Sequence, residues 1–176
     1  MSARKAVFLD LFGTLVEDHG VADKVPRVKF KKGSFEALKR FEDAGFLAFV
    51  DVCHQTFKLP GPDYVQQIQG LVLDEGRRHG IDPASIHYFN SNTTTSPVTV
   101  RSLRSLAHDH ALDLGSCVIV GDLMKDVKLG RDVGARTILL NSADDSPAFE
   151  NTDWIEPDFV VEDLGEAADK LLRKRG

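Results

Sequence analysis

Two short segments of the sequence combine carboxylates with a glycine, and each stands at the end of an apolar run of strand length. They are residues 10–15 (DLFGTL) and residues 121–126 (GDLMKD). A carboxylate at the tip of an apolar strand is partly desolvated, which disfavours its charged form. Two such groups on neighbouring strands repel each other unless a cation lies between them, and Mg²⁺ is suited to carboxylate and backbone oxygens. The alternative for Asp10 or Asp122 alone is a side chain that caps the following turn, but the pair favours a shared metal site.

The rest of the chain alternates between apolar runs and amphipathic stretches. Strands are predicted over 6–11, 46–53, 85–89, 116–121, 135–141 and 157–161. Helices are predicted over 34–44, 62–79, 97–112, 124–133 and 163–174, with Ser34 as the N-cap of the first and Ser96-Pro97 opening the third. Near-continuous apolar strands separated by helices indicate a three-layer, doubly wound (Rossmann-like) α/β fold with a parallel sheet. Ligands bind such sheets beyond the carboxyl ends of the strands, where both acidic segments fall.

Composition limits the classes of protein that the chain can be. Its 176 residues, 42% hydrophobic and 28% charged, predict a single globular domain over 1–176. The net charge of −5 argues against a nucleic-acid binder. The sequence has no run of about 18 apolar residues, so no membrane span is expected. Two cysteines, Cys53 and Cys117, are too few for a disulfide scaffold. We therefore expect a cytoplasmic protein with no nucleic-acid or membrane partner.

The two acidic segments resemble motifs of the haloacid dehalogenase (HAD) superfamily. Residues 10–15 are similar to its first motif, and the Gly121-Asp122-x-x-x-Asp126 pattern is similar to the fourth motif in the form that its phosphatases use. The likeness spans nearly the whole chain. It is greatest to the compact branch that contains the histidinol-phosphate and heptose-bisphosphate phosphatases. The resemblance implies an HAD-like fold without a large cap domain.

The resemblance also implies a chemistry: Mg²⁺-dependent hydrolysis of a phosphomonoester through an aspartyl-phosphate on Asp10. The resemblance further implies that the Mg²⁺ would be held by Asp10, the backbone carbonyl of Phe12, Asp122 and Asp126. The substrate would be a phosphorylated small molecule, such as a sugar phosphate. The residues that fall at the family's phosphate-binding and substrate-binding positions are Thr14, Cys53, His54 and Ser96.

Three of the family's positions differ in this chain. Phe12 replaces the aspartate that serves as general acid and base, a function worth ~10²–10⁴ in rate. Cys53 replaces a threonine and is a weaker hydrogen-bond donor, although the neighbouring His54 could supply a proton or a charge. Ser96 stands for a lysine and brings no positive charge.

These differences leave three hypotheses. The first is the phosphatase, with His54 or another loop residue replacing the missing acid and base. The second is a catalytically impaired HAD-fold protein that binds Mg²⁺ or a phosphorylated ligand or serves as an interaction module. The third is a dehalogenase-like hydrolase, because dehalogenases of the superfamily carry an aromatic residue at the position of Phe12. The intact Gly121-Asp122-x-x-x-Asp126 pattern argues against the third, since that chemistry uses no metal.

Overall fold

The computed structural model describes residues 3–17, 28–52, 59–89, 98–140 and 154–173. These residues form one parallel sheet in the order β3-β2-β1-β4-β5-β6. The strands are β1 (Lys5–Asp10), β2 (Phe46–Asp51), β3 (Ile86–Phe89), β4 (Val118–Gly121), β5 (Arg136–Leu140) and β6 (Phe159–Val161). The helices are α1 (Ser34–Asp43), α2 (Pro62–Arg78), α3 (Val100–Asp109), α4 (Met124–Val133) and α5 (Leu164–Leu172). The predicted three-layer, doubly wound fold is confirmed.

Alternating side chains of the central strand β1 belong to two separate hydrophobic cores. Val7 and Leu9 of β1 belong to the larger core, which includes apolar side chains of α1, α2 and α5. Ala6 and Phe8 belong to the core on the other face, together with Leu103 of α3 and part of α4. Successive side chains of a strand point to opposite faces, so Asp10 follows Phe8 toward the α3 and α4 side. The alternation of side chains along β1 thus places the Asp10 carboxylate on the sheet face that α3 and α4 cover.

The two acidic segments meet where the strand order reverses. From β1 the sheet runs through β2 to β3 on one side and through β4 to β6 on the other. Strands β1 and β4 are neighbours, and Leu9 is in register with Val120. Their carboxyl ends therefore lie side by side at the switch point, which is the usual ligand site of doubly wound sheets.

Several predicted boundaries differ from the structure by one to three residues, and local hydrogen bonds explain two of the differences. Helix α3 begins at Val100 rather than at residue 97, because Thr99 forms a reciprocal capping box with Ser102. The N-cap of α1 is Gly33, in the left-handed region at φ 79°, and the predicted cap Ser34 instead donates its hydroxyl to the Lys31 carbonyl. Strand β2 ends at its sixth residue, 51, two residues before the predicted end.

The described part of the chain contains no cap domain, since it consists of the sheet, the helices and the segments that connect them. This agrees with the expected compact architecture. Among the described helices, none combines the length and the apolar character that crossing a bilayer requires.

We expect Thr99→Ala to lower the free energy of unfolding by about 1 kcal/mol, because α3 would lose the hydroxyl that accepts the Ser102 N–H. Thr99→Ser keeps an equivalent oxygen and should stay close to the original stability. Urea denaturation measures both, with the midpoint changing and the slope constant. Equal losses in the two variants would show that the capping hydroxyl does not stabilise the helix.

Candidate active site

The structure brings together the three aspartates that the sequence placed at a metal site. Asp10 is the last residue of β1, Asp122 follows β4 directly, and Asp126 is on the first turn of α4. One carboxylate oxygen of each lies within 4.8 Å of the others. The cluster arises from the β1–β4 pairing, because that pairing sets two segments more than a hundred residues apart at one sheet edge.

Two glycines allow the carboxylates to pack against the backbone. Gly13 has φ 84°, and a Cβ built there would lie 2.5 Å from Oδ2 of Asp122. A Cβ on Gly121 would overlap the carboxylate of Asp126. Both glycines of the sequence motifs are therefore explained by close approach, and at Gly13 also by a backbone conformation that disfavours side chains.

The first turn of α4 orients Asp126. The N–H of Leu123 donates to Oδ2 of Asp126 at 3.3 Å, and the N–H of Asp126 donates to the Leu123 carbonyl at 3.0 Å. An acidic side chain in the first turn is also favoured by the helix dipole. Asp126 is buried, with 8% of its surface exposed, so its carboxylate is held in place beside Asp10.

Sequence reasoning missed two charged residues of the site, Asp51 and Lys125. Asp51 ends β2 in register with Asp10 and is buried. Nζ of Lys125 lies 3.8 Å from Oδ1 of Asp126. Both signals were present in the sequence: an acid at the end of a buried run, and a lysine inside the segment GDLMKD.

These charged groups share a cavity of about 90 Å³, which is room for several water-sized groups. Its charged lining residues are Asp10, Asp51, Lys125 and Asp126. The remaining lining residues are apolar and come mainly from the core on the α3 side: Phe8, Leu9, Phe89, Val98, Leu103, Ile119, Val120 and Leu129. The cavity is thus an apolar recess with carboxylates along one part of its wall.

Burial and mutual repulsion change the acidity of the cluster. Burial raises the pKa of Asp10 well above its ordinary value, and the charge of Asp126 raises it further, while Lys125 opposes both effects. Burial likewise raises the pKa of Asp126 to about 7, against the opposing charge of Lys125. Both shifts follow from placing carboxylates close together away from water.

The donor set fits Mg²⁺. Oδ2 of Asp10 is buried and accepts no hydrogen bond from any described residue, and a buried charged oxygen without a partner is costly. Three carboxylates within 4.8 Å offer the hard oxygen ligands that this ion takes. A divalent cation would provide the missing partner and offset the repulsion that raises the two pKa values.

Phe12 and Thr14 lie in the turn between Leu11 and Val16, which is closed by the Gly13 N–H donating to the Val16 carbonyl at 2.9 Å. The Phe12 side chain is half-buried and packs against the larger core. The Thr14 hydroxyl is buried without a hydrogen-bond partner among the described residues, and Thr14 is not among the described residues of the cavity wall. Its predicted phosphate contact stays a prediction.

Three further predicted residues, Cys53, His54 and Ser96, lie outside the described residues. Their predicted contacts with phosphate stay predictions, as does the Phe12 carbonyl as a metal ligand. Cys117, the other cysteine, is buried in the core, and burial raises the pKa of its thiol to about 11.

Comparison with known proteins agrees with this geometry. The family model described as HAD-hydrolase-like matches residues 99–167, which include the GDLMKD segment. The chain is also 28% identical to D-glycero-D-manno-heptose-1,7-bisphosphate 7-phosphatase of Thermosynechococcus vestitus, with 94% of each protein covered. Both matches support the HAD superfamily, and they confirm the resemblance of the motifs to its compact heptose-bisphosphate phosphatase branch.

Solved structures agree on the HAD-like fold. D,D-heptose 1,7-bisphosphate phosphatase from B. bronchiseptica, complexed with magnesium and phosphate, has a TM-score of 0.76 at 17% identity and covers 97% of this chain and 98% of its own. The corresponding enzyme from Burkholderia thailandensis has a TM-score of 0.73 at 20% identity and covers 97% of this chain and 100% of its own.

In the absence of divalent cations, Asp126 should make the fold less stable as the pH rises from about 4 to about 7. Its pKa is raised to about 7 in the fold, so the folded chain keeps a proton that the unfolded chain releases near pH 4. Stability falls with pH wherever the unfolded state binds fewer protons. Urea unfolding in EDTA, compared between the original chain and Asp126→Asn, isolates this contribution.

The free energy of unfolding of the original chain should fall relative to Asp126→Asn across that interval, and saturating Mg²⁺ should cancel the fall. A difference that is constant with pH would contradict the raised pKa.

Gly121→Ala should weaken Mg²⁺ binding by about 10- to 100-fold, because its Cβ would displace the Asp126 carboxylate. The matched control is Gly70→Ala in α2, where an added Cβ meets nothing within 4 Å. The control should keep the Mg²⁺ affinity and gain slightly in stability. Isothermal titration calorimetry with Mg²⁺ measures the affinities, and an unchanged affinity in Gly121→Ala would show that Asp126 does not bind the ion.

Proposed function

We propose that this HAD-superfamily protein is a Mg²⁺-dependent phosphomonoester hydrolase with Asp10 as its nucleophile. The observation that carries the proposal is the buried, unpartnered Oδ2 of Asp10 within reach of Asp122 and Asp126 at the switch point of the sheet. The similarity to heptose-bisphosphate phosphatases supports the reaction class. It also supports a sugar phosphate as the kind of substrate.

Asp10, Asp122 and Asp126, with the Phe12 carbonyl, would hold the ion. When bound, Mg²⁺ neutralises charge on the transferring phosphoryl group. Asp10 reacts as the carboxylate: one of its oxygens bonds to phosphorus while the bond from phosphorus to the ester oxygen breaks, and the ester oxygen leaves with the electron pair and takes up a proton. Water then attacks phosphorus, losing its proton, and the bond to Asp10 breaks. The products are the alcohol, inorganic phosphate and the free carboxylate.

The weak step of this mechanism is the proton delivered to the leaving group. Phe12 stands where the family has its acid and base, and its ring packs into the larger core. Water or a loop side chain such as His54 would have to take over the proton transfers. A poorer supply of protons penalises alkyl leaving groups, such as sugars, more than aryl leaving groups, which depart as stable anions.

We further propose that residues 1–176 act as one domain in a cytoplasmic setting, with a phosphorylated small molecule as the ligand. All six described strands belong to one sheet, which supports a single domain. The buried, free Cys117 thiol is compatible with a reducing compartment.

Asp10→Asn should abolish Mg²⁺-dependent hydrolysis of p-nitrophenyl phosphate and of sugar phosphates, because an amide oxygen is a poor nucleophile. The variant should remain folded, since the substitution removes one of the mutually repelling buried charges. Initial rates and thermal unfolding measure the two properties. Hydrolysis that survives the substitution would exclude Asp10 as the nucleophile.

Phe12→Asp should raise kcat/KM for alkyl phosphates, by up to ~10²–10⁴, and raise it less for p-nitrophenyl phosphate. The matched control is Phe12→Asn, which loses the same packing against the core but cannot transfer a proton. Both variants should be destabilised, and only Phe12→Asp should gain turnover.

The same pair of variants tests the second hypothesis, a catalytically impaired binding protein. The packing of Phe12 into the core is the observation that favours it. Phosphate binding in Mg²⁺ without turnover, unchanged by Phe12→Asp, would support a binding role over the phosphatase. The dehalogenase-like hypothesis predicts metal-independent halide release from 2-haloacids. The three clustered carboxylates do not support it, because that chemistry needs no metal site.

A further inference from the structure

The cavity at the strand ends contains several negative charges and few positive ones. Among the described residues that line it, Asp10, Asp51 and Asp126 are acidic, and Lys125 is the sole cation. Mg²⁺ would offset two charges of the four carboxylates that interact there, the fourth being Asp122. A phosphoryl dianion would therefore still meet a negative field, and its binding needs a further positive charge.

Lys125 has a placement that helix formation does not favour. It lies on the first turn of α4, where the helix dipole disfavours cations. On the same helix Lys128 follows the ordinary pattern and pairs with Asp132 at 3.0 Å. Lys125 instead turns toward the cavity, with Nζ 3.8 Å from Oδ1 of Asp126.

The charge of Lys125 acts on the carboxylates of the site. Its field is the largest effect that lowers the pKa of Asp10 and the largest that lowers the pKa of Asp126. The side chain is 40% exposed, and a flexible four-carbon stem lets its ammonium group move between partners. It can therefore leave Asp126 for an anion that enters the cavity beside Asp10.

We propose that Lys125 binds the oxygens of the substrate's phosphoryl group and so supplies the positive charge that Ser96 cannot. This inference rests on the proposed phosphatase function and names the residue that holds the transferred group. The ammonium of Lys125 donates to the phosphoryl oxygens while Asp10 approaches phosphorus, and charge-assisted hydrogen bonds of this kind are among the strong ones.

The test measures binding of inorganic phosphate to the Mg²⁺-saturated full chain by isothermal titration calorimetry. Lys125→Gln should raise the phosphate Kd by about 10- to 100-fold, and Lys125→Arg should retain most of the affinity because it keeps the charge. Lys128→Gln, the matched control on the same helix, should bind phosphate like the original chain.

A second titration with Mg²⁺ alone separates phosphate binding from support of the metal site. Lys125→Gln should bind Mg²⁺ at least as tightly as the original chain, because it removes a cation beside Asp126. If Mg²⁺ binding weakens in parallel with phosphate binding, or if phosphate binding is unchanged, the inference is overturned while the proposed function stands. If the original chain with Mg²⁺ neither binds phosphate nor hydrolyses phosphomonoesters, the proposed function fails, and the inference fails with it.

Discussion

Repulsion among buried carboxylates is the constraint on which the rest of this site depends. Asp10, Asp122 and Asp126 place oxygens within 4.8 Å of one another at the reversal point of the sheet, and Asp51 adds a fourth acid beside them. Such an arrangement opposes folding unless protons or a cation offset it. The β1–β4 register and the missing side chains of Gly13 and Gly121 nevertheless hold the acids together. Under the proposed function, a divalent ion bound between these acids would offset their repulsion.

The turn after β1 serves both the site and the core. Its backbone closes through the hydrogen bond between Gly13 and Val16, and Gly13 lies against Asp122, while the Phe12 ring packs against the larger core. The Phe12 ring adds apolar packing that a carboxylate would not provide, and it can neither donate nor accept a proton. Under the proposed phosphatase function, the same residue therefore links core packing to slower proton transfer.

The first turn of α4 combines opposite electrostatic tendencies within two neighbouring residues. Asp126 is favoured by the helix dipole and by the Leu123 N–H, whereas Lys125 is disfavoured there. The acidic sheet edge offsets this effect, because Nζ of Lys125 lies 3.8 Å from Oδ1 of Asp126. The chain shares its fold with a heptose-bisphosphate phosphatase, and among the described residues that line its cavity Lys125 is the one cation.

Much of this architecture was readable from the sequence, since periodicity alone predicts the parallel sheet, and the segments DLFGTL and GDLMKD identify Asp10, Asp122 and Asp126. The N-caps of two helices were not predicted correctly. Gly33 caps α1 through its left-handed backbone, and Thr99 caps α3 through a side-chain hydrogen bond. Other residues nearby have similar capping ability, so the sequence alone does not decide between them. Only the tertiary structure decided that Asp51 and Lys125 enter the site. Strand register and side-chain burial are long-range properties, and they determine which charges share one cavity however far apart their residues lie in the chain.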